Sequence, residues 1–337
     1  MKEHHLHPSV HWAGFDVAKA SFVAAQWGHH DLPQMRIRLF FRSPEGAEEV
    51  LVWLREAAPE GAALGVVMEA TGTFAEALAG WLLDRDPTLH IAIVNPAQTS
   101  AFMRSLGLRN KTDGLDAKAL ARFGHDRRPM AWVKASPDMS ALKDLVRTRM
   151  DLVGTRTAMN LRLKDHDRTS KAATIALQKV IRTLDQQVEA LETAMQKHLD
   201  RHPDLGQQAK RLQSIKGVGL LTAVTVMVEL GDLRRFTRSR QLSAFAGLSP
   251  RKKDSGSSVH GKARMCKQGS SRVRAVLYMA AWAAVRFNPD LRACYEHLIA
   301  IGKDKRSALG AVMRKLIVLM RAVLKADHDW VPFVKAA

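Results

Sequence analysis

Cysteine is nearly absent from this sequence. Cys266 and Cys294 are the two in 337 residues, too few for a disulfide framework or a cysteine-rich zinc site. That usage fits a reducing compartment. Long apolar runs are missing as well. None reaches the length of a membrane span, and the opening MKEHHLHPSV has no signal-peptide pattern. The expectation is a cytoplasmic protein with no membrane partner. Residues 138–200 hold no proline and a single glycine, Gly154, which favours long helices over turns. Acid is scarce beside base: 33 Asp and Glu stand against 52 Lys and Arg, a formal charge of +19. His4, His5 and His7 crowd the N-terminus and suit either a metal site or a frayed polar end.

What is present is 46% hydrophobic, ample for real cores, in a length that suits two domains and a connector. The charge is unevenly spread. Residues 1–100 carry 7 basic against 12 acidic side chains, 101–150 carry 11 against 5, and 151–337 carry 34 against 16. An acidic N-terminal part is thus joined to a strongly basic C-terminal part, the footprint of a polyanion binder. Nucleic acid fits better than an acidic membrane, because no basic amphipathic anchor stands out.

The first hundred residues alternate short apolar runs with helical patterns. WAGFDVAKASFVAAQW (12–27) reads as a hairpin turning near Lys19, and MRIRLFF (35–41) as a third strand. SPEGAEEVLVWLREAA (43–58) opens with helix-start residues; ALGVVMEA (63–70) is a short buried strand. TFAEALAGWLLDR (73–85) is amphipathic, HIAIVNP (90–96) is a strand closed by Asn-Pro, and helices follow to about residue 126. The pattern supports an α/β domain, and its order resembles that of the ribonuclease H-like fold. In 179–199, Val180, Leu184, Val188, Leu191 and Met195 make one helical stripe, for an internal bundle or for self-association. HPDLGQQ (202–208) reads as a boundary. The remainder is helical apart from a polar, glycine-containing stretch at 250–271.

KTDGLDAKALARFG (111–124) sets Asp113 and Asp116 on one face of a helix start. Thr112 can cap that helix, and acids in its first turn suit the dipole. Asp16 lies inside the first strand and Glu69 at the end of GVVME, where carboxylates are costly to bury alone. Four such acids suit hard divalent ions, which take oxygen ligands, and two Mg²⁺ ions stabilise the attacking and leaving oxygens of phosphoryl transfer.

Asp16, then Glu69 in MEATG, then KTDGLDA resemble the DEDD motif of the transposases of insertion-sequence family 110. NPAQTSAFMRSLGLRNKTDGLDAKALA (95–121) is similar to that family throughout. The resemblance implies a RuvC-like, ribonuclease H-fold domain over 8–130, with Asp16, Glu69, Asp113 and Asp116 binding Mg²⁺, two ions per site. Lys111 would contact a phosphate or offset the acids. A coiled-coil-like connector would span 138–200, and a mainly α transposase domain 208–330.

LQSIKGVGLLTAVTVMVELGD (212–232) reads as a helix-hairpin-helix element. Lys216, Gly217 and Gly219 would form its turn, with amides at the next helix start holding a backbone phosphate; an ordinary glycine turn between packed helices reads the same way. RQLSAFAGLSPRKKDSGSSVHGKARMCKQGSSRVRAVLYMAAWAA (240–284) resembles the family's C-terminal domain at Gly247 to Pro250, Ser255-Gly256, Lys267, Gly269, Arg272 and Arg274. By that match Ser255 is the nucleophile, with Ser257 and Ser258 its neighbours; on residues alone the stretch is a phosphate-contacting loop with Arg251, Lys252 and Lys253. Cys266 stands where the family more often has serine.

The resemblance implies a site-specific DNA recombinase that moves its own element. A structured noncoding bridge RNA would pair with donor and target DNA, sparing the protein base readout. Ser255 would attack a DNA phosphate and form a covalent link, within a dimer of dimers associated with the bacterial nucleoid. The contrasting reading is a metal-dependent nuclease or Holliday-junction resolvase with no covalent step; a third is a non-catalytic nucleic-acid binder.

Overall fold

The computed structural model describes residues 10–28, 34–107, 112–164, 170–251, 254–255, 259–260 and 264–333. The chain forms two compact units, Met1–Lys134 and Ala135–Ala337.

In the first unit the order is β1 (Val10–Val17), β2 (Ser21–Gln26), β3 (Ile37–Phe41), α1 (Pro44–Ala57), β4 (Ala63–Glu69), α2 (Thr73–Arg85), β5 (His90–Val94), α3 (Pro96–Ser105) and α4 (Asp113–Arg127). The sheet order is β3-β2-β1-β4-β5. The first three strands form an antiparallel meander, and β1, β4 and β5 run parallel. Central parallel strands are covered on both faces, so they read as unbroken apolar runs, as Leu64–Met68 does. On one face Phe15, Val66 and Met68 pack with Trp53 and Leu54 of α1 and Leu78 and Leu82 of α2. On the other Trp12, Val67 and Ala92 pack with Phe102 of α3 and Leu120 and Phe123 of α4. Helices start where caps allow: the Ser43 hydroxyl accepts from the Gly46 amide ahead of Pro44, and the Asn95 side chain accepts from Ala97.

Two glycines set how α4 lies on the sheet. A Cβ at Gly14 would stand 2.2 Å from the Ala117 carbonyl oxygen, and one at Gly124 would stand 2.5 Å from the Trp12 ring. Helix α4 therefore rests directly on the β1 backbone, Gly124 against Trp12 and Ala117 against Gly14. Its first turn passes over β3, where a Cβ at Gly114 would stand 3.3 Å from Cδ1 of Ile37.

The second unit opens with α5 (Pro137–Leu163) and α6 (Lys171–Arg201), an antiparallel pair with ion pairs Arg149–Glu192 and Arg156–Asp185, both at 2.7 Å. The apolar stripe expected on α6 is buried at Val188 and Met195, while Val180 is 45% exposed. The shared core reaches only the end of the pair where Leu142 and Val146 of α5 meet it. Then follow α7 (Pro203–Ser214), α8 (Leu220–Leu230), α9 (Ser239–Phe245), the short strands β6 (Pro250–Arg251), β7 (Asp254–Ser255), β8 (Val259–His260) and β9 (Arg264–Met265), and α10 (Ser271–Phe287), α11 (Pro289–Ala300) and α12 (Lys305–Ala326). Leu212, Val224, Leu277, Leu316 and Met320 belong to one helical core. The boundary expected at 202–208 is a cap: His202 ends α6, and Pro203 opens α7 at once.

Candidate active site

Asp16 and Glu69 sit at one end of the sheet, and Asp113 and Asp116 in the first turn of α4. Phe15 pairs with Met68 in the parallel register, so Asp16 and Glu69 follow as neighbours at the ends of adjacent strands. Both continue the α4 face: Asp16 is two residues past Gly14, and Glu69 two past Val67. Asp113 lies one turn before Ala117, which covers Gly14, and Asp116 one turn before Leu120, which packs with Val67. Asp16, Glu69 and Asp116 are half-buried and Asp113 is exposed. The Thr112 hydroxyl accepts from the Leu115 amide at 3.3 Å, so the cap that the sequence offers is made.

By chemistry the four suit a hard cation, since all are carboxylates. Among the described residues, no three His, Cys, Asp or Glu side chains stand close enough to hold an ion together. The residues fit such a cation by chemistry and by face. Two buried polar side chains on the adjoining helices escaped sequence reasoning. Thr99 of α3 is 1% exposed and its hydroxyl donates to Oε1 of Glu69. Lys118 of α4 is 9% exposed and has an interaction of its own. Neither carries a pattern signal, since a threonine and a lysine on helices are ordinary.

In the second unit the described residues of the polar stretch form two short antiparallel strand pairs. Pro250 and Arg251 pair with Met265 and Arg264, and farther out Asp254 and Ser255 pair with His260 and Val259. Ser255 is thus on the β7–β8 pair. Lys111, Lys252, Lys253, Gly256, Ser257 and Ser258 lie outside the described residues. The base of the β6–β9 pair is tightly built. A Cβ at Gly269 would stand 2.3 Å from the Phe245 carbonyl oxygen, and the Lys267 amide donates to the Gly247 carbonyl at 3.1 Å. The Cys266 amide donates to the Ser249 carbonyl at 2.9 Å, a backbone role that any residue there can fill. Nη1 of Arg274 donates to the Gly269 carbonyl at 2.6 Å, and Arg272 lies 3.4 Å from Asp151. Arg251 and Lys267 are exposed.

Beneath this base is Glu229 of α8, its side chain 6% exposed. It accepts from Nε of Arg147 at 2.8 Å and from the hydroxyl of Ser270, the cap of α10, at 3.0 Å. Burial pushes its carboxyl up; the hydrogen bond and charge of Arg147, with Ser270 and Arg272, more than reverse this and hold it below the usual range. An acid in the apolar helix LLTAVTVMVEL was the signal that could have marked it. Between α7 and α8, Lys216 is exposed and Gly217 has φ +102°, with its Cβ position 2.6 Å from the Ala284 amide nitrogen on α10. Gly219 opens α8 without a side-chain cap.

A sheet of this order with carboxylates at one end is consistent with a ribonuclease H-like domain acting on nucleic-acid phosphates. Residues 13–166 match the DEDD transposase domain of the IS110 family, described as "Transposase", and residues 209–296 match the domain described as "Transposase IS116/IS110/IS902 family". A pilin gene-inverting protein of Moraxella bovis is 29% identical over 328 residues, covering 95% of this chain and 97% of that one. The putative transposase y4qE of Sinorhizobium fredii is 26% identical over 365 residues, covering 93% and 88%. The transposase for insertion sequence element IS1111A of Coxiella burnetii is 28% identical over 221 residues, covering 58% and 59%. The chain belongs to the IS110 family of DEDD transposases: it is a DNA transposase and recombinase, and membership implies dependence on a divalent metal. No helix among the described residues is long and apolar enough to cross a membrane.

Proposed function

We propose that the chain excises and inserts its own element by serine recombination, guided by a structured noncoding RNA that pairs with donor and target DNA. Asp16, Glu69, Asp113 and Asp116 hold Mg²⁺, two ions to a site, and Ser255 is the nucleophile. The observation that carries this reading is the register that brings Asp16 beside Glu69 on the face over which α4 carries Asp113 and Asp116. The bound cations would polarise a DNA phosphate and stabilise charge on its oxygens. The Ser255 oxygen bonds to phosphorus and gives up its proton, the bond from phosphorus to one DNA oxygen breaks, that oxygen leaves as a hydroxyl carrying a proton, and the phosphoserine link preserves the bond energy for rejoining. Lys216, Arg251, Lys267, Arg272 and Arg274, with Lys111, Lys252 and Lys253, track backbone phosphates, and the amides at the start of α8, after Gly219, hold one more. Base pairing with the guide supplies sequence choice.

The name of the Moraxella relative, a pilin gene-inverting protein, adds support. Inversion and transposition share one strand exchange and differ in how the two sites are joined. Two DNA partners call for several active sites, so a dimer of dimers is part of the proposal, with α5 and α6 available for contacts.

A denaturing gel tests it. Purified protein, Mg²⁺, the element's flanking RNA and labelled junction DNA should give a protein–DNA adduct that Ser255→Ala abolishes. Cleavage without an adduct would replace this reading with a metal-dependent nuclease or resolvase. An adduct surviving in Ser255→Ala would move the nucleophile to Ser257 or Ser258.

A further inference from the structure

Strand β5 ends at Val94, the register partner of Glu69, and the chain turns at once into α3. One turn into that helix Thr99 comes back over the end of β4. Its side chain is 1% exposed, and its hydroxyl lies 3.0 Å from the Pro96 carbonyl and in hydrogen-bond contact with Oε1 of Glu69. A hydroxyl has one proton to give. A charged carboxylate is the stronger acceptor than a carbonyl, so that proton goes to Glu69.

We propose that Thr99 is the positioning residue of the acidic site, fixing Oε1 of Glu69 so that Oε2 is the oxygen presented to a divalent cation. This rests on the metal-binding reading above and adds a residue to it. A free glutamate at a strand end samples several rotamers, and each ligand that must be ordered costs entropy on binding. Thr99 removes that cost beforehand for one of four ligands. Groups that orient ligating carboxylates are worth roughly tenfold or more in metal affinity. Thr99→Val keeps the shape and deletes the proton; Thr99→Ser restores it.

The experiment is a Mn²⁺ titration of the full-length protein followed by the electron paramagnetic resonance of free Mn²⁺. Thermal unfolding in EDTA is run alongside. Wild type, Thr99→Val, Thr99→Ser and Glu69→Gln are compared. Thr99→Val should raise the Kd for Mn²⁺ about tenfold, with Thr99→Ser near wild type. If Glu69→Gln binds Mn²⁺ as wild type does, the metal-binding reading of Glu69 fails, whatever Thr99 does. If Glu69→Gln loses binding and Thr99→Val does not, the metal site stands and the role of Thr99 is overturned. It is overturned also if Thr99→Ser recovers the EDTA melting temperature but not the affinity, since the hydroxyl would then serve only the helix.

Discussion

Gly14 of β1 lies so close under Ala117 of α4 that no side chain fits between them: a Cβ would meet the Ala117 carbonyl oxygen and the Ala121 amide nitrogen, both at 2.2 Å. Backbone cannot yield as a flexible side chain can. Gly14→Ala must push α4 off the sheet, and with it the turn that carries Asp113 and Asp116. We expect a loss of about 3 kcal/mol or more, the upper end of overpacking costs, read by urea unfolding of the full chain. A loss under about 1 kcal/mol would mean that α4 does not dock on β1 this way. Gly154, with open space around its Cβ position, is the control.

Glu229 gives a pH prediction. Its folded pKa is lowered, because Arg147 and its other partners outweigh burial. The stability it contributes is therefore complete above the unfolded value of about 4.3 and is lost as pH falls from there through the lower folded value. Glu229→Gln keeps the shape and removes the charge. It should cost roughly 2 kcal/mol at neutral pH, as for a hydrogen bond to a charged group. Below pH 4 the two proteins should converge in stability. Parallel curves down to pH 3 would show that folding does not lower the pKa of Glu229.

The elements most readable in the sequence are those decided locally. Ser43-Pro44-Glu45 announces α1, Asn95-Pro96 announces α3, and the run Leu64–Met68 announces a strand covered on both faces. Burial along α6 was not readable, because Val180 and Val188 look alike in the stripe and only the position of the core separates them. The β6–β9 pair was hidden by its polar surroundings: its pairing is held from below by Gly247 and Gly269, about twenty residues apart. Thr99 was invisible for a similar reason. Its partner is thirty residues away, and nothing in helical periodicity marks which threonine reaches a strand end.

The turn after α7 separates packing from binding. Gly217 combines φ +102° with a Cβ position 2.6 Å from the Ala284 nitrogen, so Gly217→Ala should lose about 2 kcal/mol or more. Lys216 is exposed, and Lys216→Ala should leave stability within about 0.5 kcal/mol. If Lys216 meets a phosphate, the slope of log K against log salt for DNA should become shallower by about 0.9. An unchanged slope would leave the turn as packing alone.

Asp113 stands where two explanations of one residue part. As a first-turn acid it suits the dipole of α4, and as a site acid it should hold a cation. The dipole contribution is about 0.5 kcal/mol at an exposed position, and Asp113 is exposed. Asp113→Asn keeps a helix-compatible side chain and removes one negative charge. If the helix start were the whole account, the variant would lose that half kilocalorie and cleave DNA as before. Charge stabilisation by bound metal is worth several kcal/mol at the transition state, and each 1.36 kcal/mol is tenfold in rate. We therefore expect Asp113→Asn to lose DNA cleavage by about a hundredfold or more with little change in unfolding. Asp126, on the last turn of the same helix and paired with Arg122 at 3.5 Å, serves as the comparison. Asp126→Asn should keep cleavage, because its charge lies at the other end of α4 from Asp113 and Asp116.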